Sequence, residues 1–263
     1  MRGGALVTLG QMVRLSVNVN KIATLRNARG GNIPSVVEAA RTCIAAGCYG
    51  ITVHPRPDAR HITFQDVFDL AAMLTVEFNI EGYPAAEFVD LVMRVRPTQV
   101  TLVPDPPGVL TSSAGWNLAS GQADWLGDLL VRFRDAGIRT SLFLETDAAQ
   151  IKRARKLGAD RIELYTGPYA QAFGTPAGKT ILGAHREAAR LARKIGLGVN
   201  AGHDLDLKNL PTYVKAVKGL QEVSIGHALI SDALYVGLTR TVKAYLKAVG
   251  SKPAKVKRAK RKR

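Results

Sequence analysis

The feature that most constrains the fold is a repeated unit in which a helical stretch ends at a glycine and a short apolar run follows. Gly47, Gly137, Gly158 and Gly196 occupy this position. Glycine just past a helix end adopts the left-handed conformation without steric cost. Helix, glycine and short strand in repetition is typical of parallel βα units, in which each helix returns the chain to the same end of the sheet.

Eight segments are predicted to be strands. They are Val13–Val19, Gly50–Val53, Glu77–Ile80, Gln99–Val103, Thr140–Leu144, Arg161–Leu164, Leu197–Asn200 and Glu222–Ile225. Several read as near-continuous apolar runs, which is expected when both faces of a sheet are covered. Eight strands and eight helices at roughly 30 residues per unit predict a (β/α)8 TIM barrel. A doubly wound open sheet is the alternative, but no GxGxxG turn follows any of these strands.

The barrel is expected to be a single domain that spans residues 13–250. Residues 1–12 contain one arginine and no convincing apolar core or cleavage site, so they are interpreted as a flexible leader. Residues 251–263 contain eight Lys or Arg side chains and no acidic one, which predicts a disordered basic tail.

The charge of the chain points to anionic ligands but not to one class of them. The formal net charge is +16, and the tail accounts for eight of these charges, so the remainder carries +8. That value suits phosphorylated small molecules as well as polynucleotides. The tail is interpreted as a solvated appendage, and nucleic acid is not expected as a partner.

Two further observations bear on the location of the protein. No apolar run approaches the roughly 18 residues that a membrane span needs. Cys43 and Cys48 are too few for a disulfide framework, which favours core thiols in a reducing compartment. We therefore expect a cytoplasmic protein without a membrane segment.

Two connections are longer than packing requires and are rich in Gly, Pro, Ser and Thr, namely residues 104–120 and 166–180. Loops of this length in a compact domain are usually functional. Because both follow strands, we expect them on the catalytic face of the barrel, with at least one closing over a substrate.

Polar residues gather where the predicted strands end. In a barrel, all carboxyl ends open on one face, where catalytic sites lie. The polar residues expected there are Asn18, Asn20, His54, Glu81, Glu145, Glu163, His203, Ser224 and His227. With His61, four of the five histidines fall at or just beyond strand ends, which indicates acid–base chemistry. His185 instead lies in line with apolar positions of a helix and is predicted to be a core or interface histidine.

Glycine and arginine placement suggests the ligand type. Gly202 and Gly226 follow strands seven and eight, where barrels commonly hold phosphate with backbone amides. Arg26, Arg29 and Arg56 offer fork-like phosphate contacts near the first two strand ends. Two cationic zones on one face predict two phosphorylated substrates. No HxH or HExxH spacing occurs, and a metal is not expected.

Several strings resemble the pyridoxine 5'-phosphate synthase family. They are residues 18–30 (NVNKIATLRNARG), 51–56 (ITVHPR), 60–63 (RHIT), 78–81 (FNIE), 199–203 (VNAGH) and 225–227 (IGH). The match runs in order from about Leu15 to Leu246, and the string IATLRNARG is highly specific.

The resemblance implies a (β/α)8 barrel that assembles as a homo-octamer. It also implies an enzyme that condenses 3-amino-2-oxopropyl phosphate with 1-deoxy-D-xylulose 5-phosphate. The products are pyridoxine 5'-phosphate, inorganic phosphate and water, and neither a metal nor an organic cofactor takes part.

Matching positions imply roles for individual residues. His54 and Glu81 are similar to the proton acceptors of the family, and His203 to its proton donor. The residues that resemble substrate contacts are Asn18, Arg29, Gly226 and His227 for the amino-ketone phosphate, and Arg56, His61 and Thr111 for the sugar phosphate.

The chain departs from the family pattern at three candidate substrate contacts. Asn20 and Lys21 stand where many members have Asp-His, and Asp204 stands where many have Gly. Lys21 also leaves an alternative function open, an aldolase-like barrel that acts on sugar phosphates through a Schiff base.

Overall fold

The computed structural model describes residues 12–105, 114–118 and 123–254. Eight parallel strands pair in chain order, and the eighth pairs with the first to close a barrel. The strands are β1 Arg14–Asn18, β2 Gly50–Val53, β3 Glu77–Gly82, β4 Gln99–Leu102, β5 Arg139–Leu144, β6 Arg161–Leu164, β7 Gly198–Ala201 and β8 Leu220–Ile225. The predicted (β/α)8 barrel and all eight strands are confirmed.

The described residues form eleven helices rather than the eight predicted. They are α1 Asn20–Asn27, α2 Val36–Ala46, α3 Phe64–Met73, α4 Ala86–Val95, α5 Asp124–Asp135, α6 Ala148–Leu157, α7 Gly167–Gln171, α8 Pro176–Lys194, α9 Leu210–Ala216, α10 His227–Val236 and α11 Leu238–Ala248. The connections after β1, β6 and β8 each hold two helices. Among the helices described, none combines the length and apolar character that a bilayer span requires.

The prediction of a long loop at residues 166–180 is wrong. Helix α7 and the first residues of α8 occupy this segment. Pro176 is the first residue of α8, and the Thr175 side chain accepts a hydrogen bond from the backbone N–H of Gly178. Proline is favoured in the first helical turn and threonine is a good N-cap, so these residues start a helix despite the loop-like composition. Much of the other predicted loop, residues 106–113 and 119–120, lies outside the described residues.

The glycines that follow the helices behave as predicted. Their φ angles are 104° at Gly47, 78° at Gly137, 94° at Gly158 and 83° at Gly196. Each value lies in the left-handed region, which only glycine adopts at little cost. These residues end the helices and return the chain to the start of the next strand.

Most strands alternate polar and apolar residues, with the apolar run at residues 142–144 of β5 as an exception, so the expectation of several near-continuous apolar runs is wrong. Asn18 on β1 donates to Glu81 on β3 at 3.4 Å, and Gln99 on β4 reaches Glu222 on β8 at 3.5 Å. Strands that are not neighbours in a closed barrel can meet only through its interior. The polar side chains therefore fill the barrel, and the apolar residues between them face the helices.

Ion pairs join several strands at the end of the barrel where the strands begin. Arg139 contacts Glu77 at 2.5 Å and Glu222 at 4.0 Å. Arg161 lies 3.5 Å from Glu222 and donates to the Asn200 side chain at 3.0 Å. Because Glu77 on β3 and Glu222 on β8 sit on strands that do not neighbour those of their arginines, the ion pairs tie separate walls of the barrel together.

His185 is a core histidine, which is one of the two settings predicted for it, core or interface. It lies buried on α8, and its Nδ1 is 2.9 Å from the hydroxyl of Tyr213 on α9. Burial lowers its pKa to about 4, so the ring is neutral at physiological pH. The residue joins two helices and lies apart from the strand ends.

Residues 251–254 pack against the end of the barrel where the strands begin, although the charge pattern grouped them with the tail. The Ala254 N–H donates to the Gly47 carbonyl at 2.9 Å. The Tyr49 hydroxyl donates to the Lys252 carbonyl at 2.9 Å, and the Ser251 hydroxyl contacts the Val13 carbonyl. Residues 1–11 and 255–263, which make up most of the predicted leader (1–12) and tail (251–263), lie outside the described residues.

Removing one charge from the buried network should destabilise the fold. In Arg161→Met, Glu222 loses a close cationic partner while its side chain stays 6% exposed. We expect a loss of about 2–4 kcal/mol in the free energy of unfolding at pH 7, measured by denaturant titration.

The matched control is Arg41→Met, which breaks an ion pair with Glu38 whose side chains are 58% and 66% exposed. That change should cost within about 0.5 kcal/mol. Equal losses in the two variants would contradict a stabilising role for the network.

Candidate active site

A cavity of about 350 Å³ lies at the carboxyl ends of the strands. Eleven of the predicted site residues line it: Asn18, Asn20, Lys21, His54, Arg56, His61, Glu81, His203, Asp204, Gly226 and His227. Arg29 does not belong to this lining and is exposed after α1. Thr111 lies outside the described residues. The convergence of distant strand ends on one cavity is therefore present, while the role of each residue stays a prediction.

Hydrogen bonds between consecutive strand ends position the first imidazole. The Asn20 N–H donates to the Asn18 side chain at 3.0 Å, and the His54 N–H donates to the Asn20 side chain at 2.9 Å. Asparagine side chains readily cap nearby backbone groups in this way. The ends of β1 and β2 are thus joined, and the His54 ring is held at the cavity wall.

His54 and Glu81 lie next to each other in the lining of the cavity. Nδ1 of His54 lies 4.0 Å from Oε2 of Glu81. Burial raises the pKa of Glu81 to about 8, helped by the charge of Glu222. Burial and the nearby Arg56 lower the pKa of His54 well below its usual value. A neutral imidazole therefore stands beside a carboxyl that titrates near physiological pH, the range in which general acids and bases work best.

His61 and Arg56 occupy the wall formed by the loop after β2. Both side chains are buried, and the rings of His61 and His54 are 6.3 Å apart, edge to face. The Ile62 N–H donates to Nδ1 of His61 at 2.9 Å, which fixes the neutral tautomer with its proton on Nε2. Burial and the charge of Arg56 lower the pKa of His61 to about 4.

The ends of β7 and β8 approach each other closely. A Cβ atom at Gly202 would lie 1.9 Å from the Ser224 carbonyl oxygen, so only glycine fits there. Gly226 follows β8, and α10 begins at His227, so the N-terminus of a helix opens on the cavity. The first amides of a helix have no partner within it, and the helix dipole favours anions at this end.

His203 and Asp204 form a pair at the rim. Nδ1 of His203 is 2.7 Å from Oδ2 of Asp204, and both side chains are 39% exposed. Burial opposes protonation of His203. The hydrogen bond to Asp204 and the negative charges of Asp204 and Glu163 outweigh it, so the pKa of His203 is raised. His203 is therefore the cavity histidine whose surroundings favour the imidazolium.

Glu163 is part of the cavity, although sequence analysis predicts only that it lies near a strand end. It is buried on β6 and lines the lower wall with Thr101, Phe143 and Ser224. Burial and the charges of Glu81 and Glu222 raise its pKa well above the usual value. The sequence signal for a cavity role is an acidic residue flanked by Ile162 and Leu164 within a predicted strand.

Two residues with predicted roles near the strand ends lie elsewhere. Arg26 forms a two-pronged ion pair with Asp66, in which Nη2 reaches Oδ2 at 2.9 Å. Its guanidinium is thus engaged by protein, and the expectation that it holds phosphate is wrong. Glu145 is exposed after β5 and does not belong to the cavity lining. Among the described residues, no group of three or more His, Cys, Asp or Glu side chains is placed to hold a metal ion.

Fold and site together define a (β/α)8-barrel enzyme with several acid–base groups around one cavity. The sequence profile of the family described as "pyridoxal phosphate biosynthesis protein PdxJ" matches residues 15–251. This chain belongs to that family, and the resemblance seen in its sequence strings is confirmed.

Curated relatives support the assignment over nearly their whole length. Pyridoxine 5'-phosphate synthase from Bacteroides fragilis is 56% identical over 234 residues, which cover 89% of this chain and 98% of the relative. The enzyme of the same name from Parabacteroides distasonis is 55% identical over 240 residues, covering 91% and 100%. A third, from Cytophaga hutchinsonii, is 52% identical, covering 90% and 98%.

Solved structures show the same fold at low sequence identity. Thiamine phosphate pyrophosphorylase from Pyrococcus furiosus aligns with a TM-score of 0.58 at 16% identity, covering 91% of this chain and 96% of that one. Phosphoribosylanthranilate isomerase from Thermotoga maritima aligns with a TM-score of 0.57 at 13% identity, covering 91% and 99%. At these identities the likeness concerns the barrel alone.

The buried state of His61 should make stability depend on pH. Its folded pKa of about 4 lies below the ordinary histidine value of 6.5, so the unfolded chain binds the proton first as pH falls. The stability contributed by neutral His61 is present above pH 6.5 and is lost between pH 6.5 and about 4. In His61→Asn, the fall in unfolding free energy over this window should be smaller by on the order of 2 kcal/mol.

Denaturant titrations at a series of pH values provide the measurement. Parallel pH curves for the wild type and the variant would show that His61 titrates in the folded protein as it does in the unfolded chain.

Proposed function

We propose that this protein is a pyridoxine 5'-phosphate synthase. It condenses 3-amino-2-oxopropyl phosphate with 1-deoxy-D-xylulose 5-phosphate and releases pyridoxine 5'-phosphate, inorganic phosphate and water. The observation that carries the proposal is the meeting of His54, Glu81 and His203 in one cavity of a chain that is 56% identical to a relative of that name.

The acid–base groups fit a reaction with many proton transfers. Imine formation, dehydration, phosphate loss and ring closure each move protons, so several positioned groups are required rather than one nucleophile. Neutral His54 accepts protons, and Glu81, with a pKa of about 8, accepts them and returns them within the same site. His203 has a raised pKa and serves as the proton donor on the opposite wall.

Two walls of the cavity are suited to the two phosphates. Gly226 and His227 stand at the N-terminus of α10, where backbone amides and the helix dipole favour the amino-ketone phosphate. Lys21, Arg56 and His61 lie on the wall formed after β1 and β2, where the sugar phosphate is held. Arg29 and Thr111 belong to the same proposal through the family resemblance, which assigns them to the first and second phosphate, respectively.

The proposal includes a homo-octameric assembly and a cytoplasmic location, both implied by the family resemblance. Exposed apolar side chains on α10 are compatible with contacts between copies of the chain: Leu234 is 70% exposed, Tyr235 89% and Val236 51%. Native mass measurement tests the assembly, and fractionation of the source cells tests the location.

Removing the acid–base groups should abolish product formation without unfolding the protein. We expect Glu81→Gln and His203→Ala to lower turnover of the two phosphorylated substrates by about 10²–10⁴-fold. Pyridoxine 5'-phosphate and free phosphate are measured together, and circular dichroism checks the fold.

Glu145→Gln is the matched control, because this carboxylate follows the neighbouring strand β5 but is exposed and outside the cavity. It should keep near wild-type turnover. Near-normal turnover of both Glu81→Gln and His203→Ala would contradict the proposal. Borohydride trapping of a carbonyl substrate on Lys21 would instead identify the aldolase-like barrel.

The basic tail should be dispensable for the reaction. The structure places residues 251–254 on the barrel, so a truncation that tests the tail must remove only residues 255–263. We expect the turnover and the number of subunits in the assembly to stay the same. The native mass should fall only by the mass of the deleted residues. A loss of salt-dependent nucleic-acid binding on truncation would show that the tail has a polyanion partner after all.

A further inference from the structure

We propose that Asp204 is a positioning residue that orients the His203 imidazole and keeps it in the proton-donating form. The functional consequence of this inference rests on the proposed synthase reaction, whereas the pairing itself rests on the geometry of the rim. The family resemblance implies only that Asp204 is a candidate substrate contact.

The contact between the two side chains defines the tautomer. Oδ2 of Asp204 is 2.7 Å from Nδ1 of His203, a short hydrogen bond in which Nδ1 donates to the carboxylate. With Nδ1 engaged, Nε2 is the nitrogen that exchanges a proton with a bound substrate. A carboxylate on one imidazole nitrogen is a recurrent way to fix the ring and stabilise the imidazolium.

The backbone around Asp204 is fixed on both sides. The Thr166 hydroxyl donates to the Gly202 carbonyl at 3.1 Å and accepts from the Asp204 N–H at 3.4 Å. The Asn209 side chain donates to the Asp204 carbonyl at 3.4 Å. The carboxylate therefore lies beside His203 because the loop after β7 holds it there.

Other ionisable groups around His203 do not replace this carboxylate. Glu163 on β6 and Asp105 after β4 also favour the imidazolium. Burial, however, raises the pKa of Glu163 well above its usual value, which weakens this group as an anionic partner. Tyr165 presents its ring at 6.4 Å from the imidazole, and His54 across the cavity has a lowered pKa and is neutral. Asp204 is the acidic group in direct hydrogen-bond contact with the ring.

The test replaces the carboxylate with an amide of nearly the same shape. In Asp204→Asn, the pKa of His203, followed by NMR of the ¹⁵N-histidine-labelled full chain, should fall by about one unit. The proton-donating form then disappears at lower pH, so the alkaline limb of kcat/KM should shift down by the same amount. Above both pKa values the rate should be about tenfold lower, with KM little changed at the pH optimum.

Asp206→Asn is the matched control. Asp206 lies in the same loop, and its carboxylate accepts from the N–H groups of Lys208 and Asn209 instead of contacting His203. The same chemical change there should leave the His203 titration and the alkaline limb in place.

The outcomes separate this inference from the proposed function. An unchanged His203 titration in Asp204→Asn, or an equal shift in Asp206→Asn, overturns the positioning role. A rise in KM with an unmoved alkaline limb also overturns it and makes Asp204 a substrate contact. If the wild type forms no pyridoxine 5'-phosphate, the synthase proposal fails, while the NMR titration still decides whether Asp204 controls His203.

Discussion

Closure of eight parallel strands forces half of their side chains into one narrow interior, and in this chain that half is polar. Hydrogen bonds such as Asn18 to Glu81 join strands that are not neighbours, which is possible only across the barrel. The ion pairs of Arg139 and Arg161 do the same at the opposite end. The groups that line the cavity are therefore the layer of this polar interior nearest the carboxyl ends of the strands. Their spacing is set by the geometry of the barrel.

Burial gives that layer its chemical character. Desolvation raises the pKa values of Glu81, Glu163 and Glu222. Repulsion between carboxyls adds to this effect, from Glu222 on Glu81, from Glu81 and Glu222 on Glu163, and from Glu77 on Glu222. The same desolvation holds His54 and His61 in the neutral form. At the half-exposed rim, where a carboxylate touches His203, the imidazolium is favoured. One cavity thus holds neutral imidazoles deep inside and a histidine that favours the imidazolium at its mouth, because solvent exposure and partner charge differ between the two levels.

Much of this arrangement follows from the sequence. Parallel strands end on one face, so polar residues after the apolar runs predict a common cavity, and eleven of the thirteen proposed site residues line it. The predictions that failed depend on tertiary contacts and on local helix signals. Asp66, forty residues away, engages Arg26, and Pro176 with Thr175 starts a helix in a segment that composition marks as a loop. The polar barrel interior was also missed, because strand composition alone does not show which face turns inward.

The chain leaves the barrel at the end remote from its cavity. Residues 251–254 are hydrogen-bonded beside the starts of β1 and β2, next to Val13, so the last described segment and the first lie together there. An affinity tag or surface linker joined directly after Ala254 would thus begin at the end of the barrel opposite the cavity, and the cavity entrance would stay accessible.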